Sequence, residues 1–447
     1  MKWYAASDWD MKQRVPKAVL FILMIITGLG CQKPDPVQIV FAFGPDDRGT
    51  IRSLIDQFNK SREGEIEVSW RECSRLSNEF FQELASELPD ESSTIDVFGA
   101  DVVWTPALAS NGWVEDLSSK FYAVYNPNDF IEAAMESAVY QFRVWGIPWF
   151  TDAGILYFRK DLLEENGYND PPQTWAELKA ISHKIMSESG MKSGFVFQGD
   201  AYEGGVANAC EFIWNAGGRI LLGDLSITVS SEPLELPEIL TFKSDEVRNG
   251  MLEAHMLIES GVSPAEVTSY RELESFQQFQ NGDAIFMRGW PSGYGQLLDP
   301  SSQIKPEQVG VAPLPVSRPG LPSYSCLGGW NLMINRNSSE EEKEAAWAFI
   351  VYLSDKESQK YRAIQGGALP SYKSLYEDPE LTSRVQVINL ARNIMGNTRV
   401  RPATVHYMDL STQIAGLFQK LLTDISDLEN QLATTTTRLN IILETPH

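Results

Sequence analysis

Carboxylates and indoles are the residues of this 447-residue chain whose placement points to chemistry. Asp46 and Asp47 fall in the turn Gly44-Pro45-Asp46-Asp47, after the apolar run Val37–Phe43, and Asp101 follows a second apolar stretch, Ile95–Phe98. Trp290 stands in Gly289-Trp290-Pro291 and Trp330 in Gly329-Trp330-Asn331, flanks that place each on a turn rather than on a helix face. The chain carries 12 Trp and 15 Tyr in all. Ionised carboxylates accept hydrogen bonds from neighbouring hydroxyls, and such charge-assisted bonds are about twice as strong as neutral ones. Aromatic faces cover the C–H faces of a sugar ring. Acids at the edge and indoles above and below are what an uncharged polyol requires. Two blander readings compete: an Asp in such a turn caps the next helix, and Trp is well buried on average.

Other chemistries find little support. The three cysteines of the body, Cys73, Cys210 and Cys326, match no metal-binding spacing and contain no C-x-x-C. They read as small buried hydrophobes, with one disulfide open in an oxidising compartment. His183, His255, His406 and His447 are too scattered to form a metal-ligand pattern. Without a P-loop, G-x-G-x-x-G or H-E-x-x-H, nucleotide and zincin chemistry are unsupported, and neither cofactor nor metal is expected. A formal net charge of −23 repels phosphate backbones, which argues against nucleic acid as a partner.

The N-terminus reads as a targeting segment. Ala18–Leu29 is an apolar run of a dozen residues, short of the roughly 20 that span a bilayer, and Lys12, Arg14 and Lys17 precede it, as in a secretory signal. Asp8 and Asp10 make Met11 the more natural start. Residues 1–30 are therefore assigned to a signal peptide and 31–36 to a tether. The run ends in Gly28-Leu29-Gly30-Cys31, which resembles the lipobox of bacterial lipoproteins, although Gly28 replaces the usual Leu. That resemblance implies acylation of Cys31 and a membrane anchor of more than one chain.

Behind these residues the apolar pattern sets out the elements. Val37–Phe43 is a buried strand; Ile51, Leu54, Ile55 and Phe58 keep helical spacing; Ile66, Val68 and Trp70 alternate; a helix covers Phe80–Leu88; and Ile95–Phe98 is again a strand. Strand–helix alternation predicts a parallel sheet with right-handed crossovers and ligands beyond the strands' carboxyl ends. Farther on, Ile155–Phe158 is a strand, and helices are predicted over Trp175–Met186, Val206–Ala216, Glu340–Leu353 (capped by Ser338 or Ser339) and Leu410–Leu432.

Four ordered segments together resemble the bacterial extracellular solute-binding proteins of carbohydrate ABC importers. They are Ile95–Trp104 running on to Leu117, Gly146–Leu162 with Pro171–Trp175, Phe279–Pro291, and Gly328–Leu332 with the helix behind it. The resemblance covers essentially all of 37–445. It implies an α/β fold of two lobes, of the type II periplasmic-binding-protein kind, with a ligand cleft between the lobes and a hinge of crossover strands. Residues 37–150 and 286–352 would form the N-terminal lobe, and 154–284 and 353–447 the C-terminal one. Asp101 and Asp152 match positions that bind ligand hydroxyls in similar proteins. Trp290 and Trp330 look like the family's stacking residues, Trp104 and Trp149 are further candidates, and Arg401, with Arg399 as a rival, falls where a C-terminal loop reaches the ligand. The implied protein is a lipid-anchored monomer, periplasmic or on the cell surface, that closes on a sugar and delivers it to ABC permease subunits served by a cytoplasmic ATPase. It is not expected to be an enzyme. A secreted glycoside hydrolase would cast Asp101 and Asp152 as its carboxylate pair, but nothing in the sequence marks either as an acid of raised pKa. A sugar sensor subunit is the other alternative.

Overall fold

The computed structural model describes residues 35–221 and 242–446. The leader, Cys31 and most of the tether lie outside the described residues.

Two sheets organise the chain. The larger begins as predicted: Val37–Phe43 (β1), helix Thr50–Ser61 (α1), Ile66–Glu72 (β2), helix Ser77–Glu87 (α2) and Val97–Asp101 (β3). β2 and β3 pair parallel on either side of β1. Beyond β3 the sheet turns antiparallel. Ser325–Ile334 (β11) lies between β3 and Ile147–Ala153 (β6), antiparallel to both, and Leu369–Pro370 (β12) closes the edge on β6. Thr398–Arg399 (β13) runs beside the start of β11. The sheet is thus mixed rather than wholly parallel, because β11 and β12 arrive from far along the chain. The second sheet has the order Val309–Ala312 (β10), Ile155–Arg159 (β7), Ala284–Gly289 (β9), Ser193–Val196 (β8). A hairpin, Val139–Tyr140 (β4) with Arg143–Val144 (β5), stands apart.

The strand pairing corrects the expected lobe boundaries. Residues 286–312 belong to the second half, since β9 bonds β7 and β8 and β10 bonds β7. The chain returns to the first sheet only at β11. Residues 353–370 stay there: helix Lys356–Gly366 packs on α1, and β12 bonds β6. The second half is completed by helices Glu203–Asn215 (α3), Asp245–Glu259 (α4) and Tyr407–Thr423 (α5), which pack on one another.

The apolar stripe predicted over Leu410–Leu432 is two helices, α5 and Leu428–Glu444 (α6). Asp424 leaves helical geometry, and its carboxylate takes the Ser426 N–H at 2.9 Å, a local turn that competes with the helix. Helix Glu340–Ser354 starts on Ser339 with a reciprocal Glu342 bond. Its buried face is Ala345, Ala346, Phe349, Ile350 and Leu353, while Trp347 and Val351 are half-buried. Cys73, Cys210 and Cys326 are all buried.

Candidate functional site

One cavity of about 610 Å³ lies where the two sheets meet, within the ~300–1,000 Å³ usual for small-molecule sites. The register of β11 sets its floor. Trp330 is paired with Asp101 on one side and Gly328 with Asp152 on the other, so two acids flank one indole. Trp330 is therefore part of a strand, not of the turn its neighbours suggested. The glycines make room instead. A side chain on Gly328 would stand 3.1 Å from both the Asp152 Cβ and the Trp290 ring. Gly329 has φ 121°, and a Cβ there would meet the Phe150 carbonyl at 2.3 Å. Trp290 follows β9 and enters from the second half, where its carbonyl accepts the Tyr157 hydroxyl at 2.8 Å.

Asp101, Asp152, Trp290, Trp330 and Arg401 all line this cavity. Asp101 is buried and accepts from Ser77 Oγ at 2.8 Å and from Arg401 Nη2 at 2.7 Å. Arg401 also donates through Nη1 to Glu203, at the start of α3. Glu203 further accepts the Tyr407 hydroxyl and, at 2.6 Å, the Ser411 hydroxyl. Arg401 thus joins an acid of the first half to an acid of the second, all three buried. Burial pushes the Glu203 carboxyl up and Arg401 pulls it back. Asp152 differs: burial raises its carboxyl to about 7, against the lowering effects of Ser292, the Ala153 N–H and the Arg288 charge. That is the raised acid the sequence did not reveal. Trp330 is backed by Phe43 (edge-on, 5.0 Å), Trp104 (edge-on, 5.3 Å) and Phe80 (stacked, 5.8 Å).

The remaining candidates lie elsewhere. Trp104 and Trp149 are buried in the first-half core, Trp104 between Phe80, Phe81 and Trp330, and Trp149 beneath the Arg362 guanidinium at 3.9 Å. Neither lines the cavity, because both face the sheet–helix interior. Asp46 spends its carboxylate on α1, accepting the N–H groups of Thr50, Ile51 and Arg52 at 3.0, 2.8 and 2.9 Å. Asp47 stands one residue away from the cavity: it holds Arg75 by two 2.8 Å bonds, and Arg75 lines the cavity. Arg75 in turn holds the Asp47 carboxyl below its usual range. Arg399 stacks on Tyr324 at 3.4 Å, outside the cavity.

Sequence reading missed Glu203, Tyr202, Arg271, Glu272, Phe150 and Arg75, all on the cavity wall. Glu272 accepts the Tyr202 hydroxyl at 2.7 Å and the Trp290 indole N–H at 3.3 Å. Glu203 and Glu272 each open a helix, where an acid is expected for the helix dipole alone, so nothing in sequence separated them from ordinary helix starts.

Two α/β halves with acids and indoles turned into the gap between them define a protein that binds a small solute in a cleft. The chain belongs to the bacterial extracellular solute-binding protein family, which it matches over residues 44–360, and it is a solute-binding protein of the kind that serves ABC transporters. A Deinococcus radiodurans protein described as "Probable ABC transporter-binding protein" is 32% identical over 361 residues, 78% of this chain and 81% of its own length. The solved structure of T. maritima MalE3 with maltose bound superposes with TM-score 0.81 at 31% identity, covering 91% of this chain and all of that one. A Thermotoga lettingae solute-binding protein with alpha-D-tagatose shares the fold at 23% identity and TM-score 0.76, over 91% of this chain and all of its own. Proteins of the family work outside the cytoplasm, and no helix among the described residues is long and apolar enough to cross a membrane.

Proposed function

We propose that the chain binds a sugar, a disaccharide or short oligosaccharide, between its two halves without turning it over, and passes it to the permease of an ABC importer driven by a cytoplasmic ATPase. The observation that carries this reading is the convergence of Trp290 and Trp330, from opposite halves, on one cavity edged by Asp101 and Asp152. Indoles offer flat apolar faces, and the acids accept hydroxyl hydrogens. The family's solute-binding role and the maltose held by the similar T. maritima protein support it, and make maltose the first ligand to try. We read Asp101 and Arg401 as ligand-edge groups, with Asp47 acting through Arg75.

The hydrolase reading loses ground because Asp101 is tied up by Arg401 and Ser77, although Asp152 has the raised acid such an enzyme needs. Closure would be favoured by the ligand only to the extent that sugar binds the closed state more tightly. The protein would act as a monomer, held outside the membrane by acyl chains on Cys31. A thermal-shift screen against a sugar panel tests the binding, since a specific ligand raises stability by mass action. A rise with maltose or a related sugar is expected, and Trp290→Ala or Asp152→Ala should reduce it. No rise with any sugar, or release of monosaccharide during incubation, would refute the proposal. For the anchor, Cys31→Ser should move the protein from the membrane fraction to the soluble one; an unchanged distribution would refute lipidation.

A further inference from the structure

The Trp290 indole rests on a buried cation. The Arg288 guanidinium carbon stands 3.8 Å from the ring centroid, and Arg288 itself is 1% exposed and does not line the cavity. The guanidinium is fixed on its remaining sides. Nε and Nη2 each donate to Glu211 at 2.8 Å, and Nη1 donates to Gln198 Oε1 at 3.2 Å. Gln198 is itself held, donating to the Arg288 carbonyl at 3.0 Å and accepting from Asn208 at 3.1 Å. Glu211 also accepts the Cys326 N–H of β11 at 3.0 Å, which ties the pair to the first sheet. Even the backbone makes way: a Cβ on Gly154, between β6 and β7, would fall 1.8 Å from Glu211 Oε1 and 2.6 Å from Arg288 Nη2. Trp290 is thus constrained on one face by Arg288, at its indole nitrogen by Glu272, and at its edge by the bare backbone of Gly328.

We propose that Arg288 is a positioning residue for the ligand: its plane fixes the Trp290 ring in the attitude that meets the solute, and Glu211 fixes Arg288. A large ring on a turn, left to settle only when ligand arrives, would subtract its ordering cost from affinity, and a cation over an indole in a desolvated setting removes that cost beforehand. Lysine cannot substitute, because a point charge supplies neither the stacking plane nor the two-pronged bond to Glu211. This inference rests on the reading of the cavity as the sugar site.

The test is a double-mutant cycle. Arg288→Lys, and separately Glu211→Gln, are made in the wild-type chain and in a Trp290→Leu background, and maltose affinity is measured by calorimetry. With Trp290 present, Arg288→Lys should weaken binding about tenfold; in the Trp290→Leu background it should change affinity by less than about twofold. In protein labelled with 5-fluorotryptophan and free of ligand, the fluorine resonance that disappears in Trp290→Leu should shift and broaden in Arg288→Lys and in Glu211→Gln. Equal losses of affinity in both backgrounds, or an unmoved resonance, would overturn the proposal. If the wild type binds no sugar, the functional reading fails and the Trp290 resonance alone decides whether Arg288 positions the ring. If one of the two substitutions prevents folding, the other carries the comparison.

Discussion

Asp152 makes the stability of the protein depend on pH in a direction that can be worked out beforehand. Its carboxyl titrates at about 7 in the folded chain, against 3.8 for an ordinary aspartate, because burial penalises the charged form. Below pH ~4 the group is neutral in both folded and unfolded chains and costs nothing. Between ~4 and ~7 the unfolded chain ionises while the folded chain does not, so stability falls as pH rises. Above ~7 both are ionised and the cost is constant. The gap between 3.8 and about 7, at about 1.36 kcal/mol per pH unit, sets a ceiling of about 4 kcal/mol. Asp152→Asn removes the titration and keeps one acceptor for the Ala153 and Ser292 groups. Urea unfolding of both proteins from pH 4.5 to 8.5 isolates this residue, because every other titrating group cancels in the difference. The variant should gain on the wild type steadily up to pH ~7, by about 3 kcal/mol across this window, and then level off. A difference flat to within about 1 kcal/mol over that range would refute the argument that Asp152 is held neutral by burial.

Arg401→Met should destabilise by about 3–5 kcal/mol, since it strands the buried acids Asp101 and Glu203 without their counter-ion; wild-type stability in urea would contradict the bridge. Asp46→Ala should cost about 1–2 kcal/mol through loss of the α1 cap while sugar affinity stays as in the wild type, and a clear drop in affinity would return Asp46 to the cavity edge. Gly329→Ala should cost at least about 2 kcal/mol, because its backbone lies at φ 121° and the added methyl strikes the Phe150 carbonyl; thermal unfolding within a degree or two of wild type would show that β11 can relax around it.

The first half of the first sheet was legible because its signals are local. Val37–Phe43, the Ile51–Phe58 stripe and Ile66–Trp70 each declare themselves within a dozen residues, and the serines at 338 and 339 ahead of an acidic first turn announced a helix start. What eluded sequence reading depends on contacts between distant residues. Nothing near Ser325 says that β11 will run antiparallel between β3 and β6, and nothing near Val309 assigns β10 to the second sheet. The stripe through Ile425 and Leu428 outvoted the acids around it, so the break at Asp424 was missed. At the site, Asp101, Asp152, Trp290, Trp330 and Arg401 were expected chiefly from family likeness, and the structure gathers them around one cavity. Trp104 and Trp149 show the limit of that likeness, since an indole serving the core and one facing a cavity look alike in sequence. Asp46 was separated from the cavity only by seeing which N–H groups it caps.

The single residue between β6 and β7, Gly154, is one of several places where the chain passes from one half to the other, the passage from β10 to β11 being another. Neither half is therefore a continuous stretch of the gene. A recombination event that swapped residues 155–312 would carry all four strands of the second sheet but leave behind α5, which packs on α3 and α4. Ligand preference in such a molecule can drift residue by residue along the cleft, but a whole half cannot be borrowed from a relative in one step. Fusions and affinity tags placed within the body face the same constraint, and belong after the last helix rather than at an apparent domain junction.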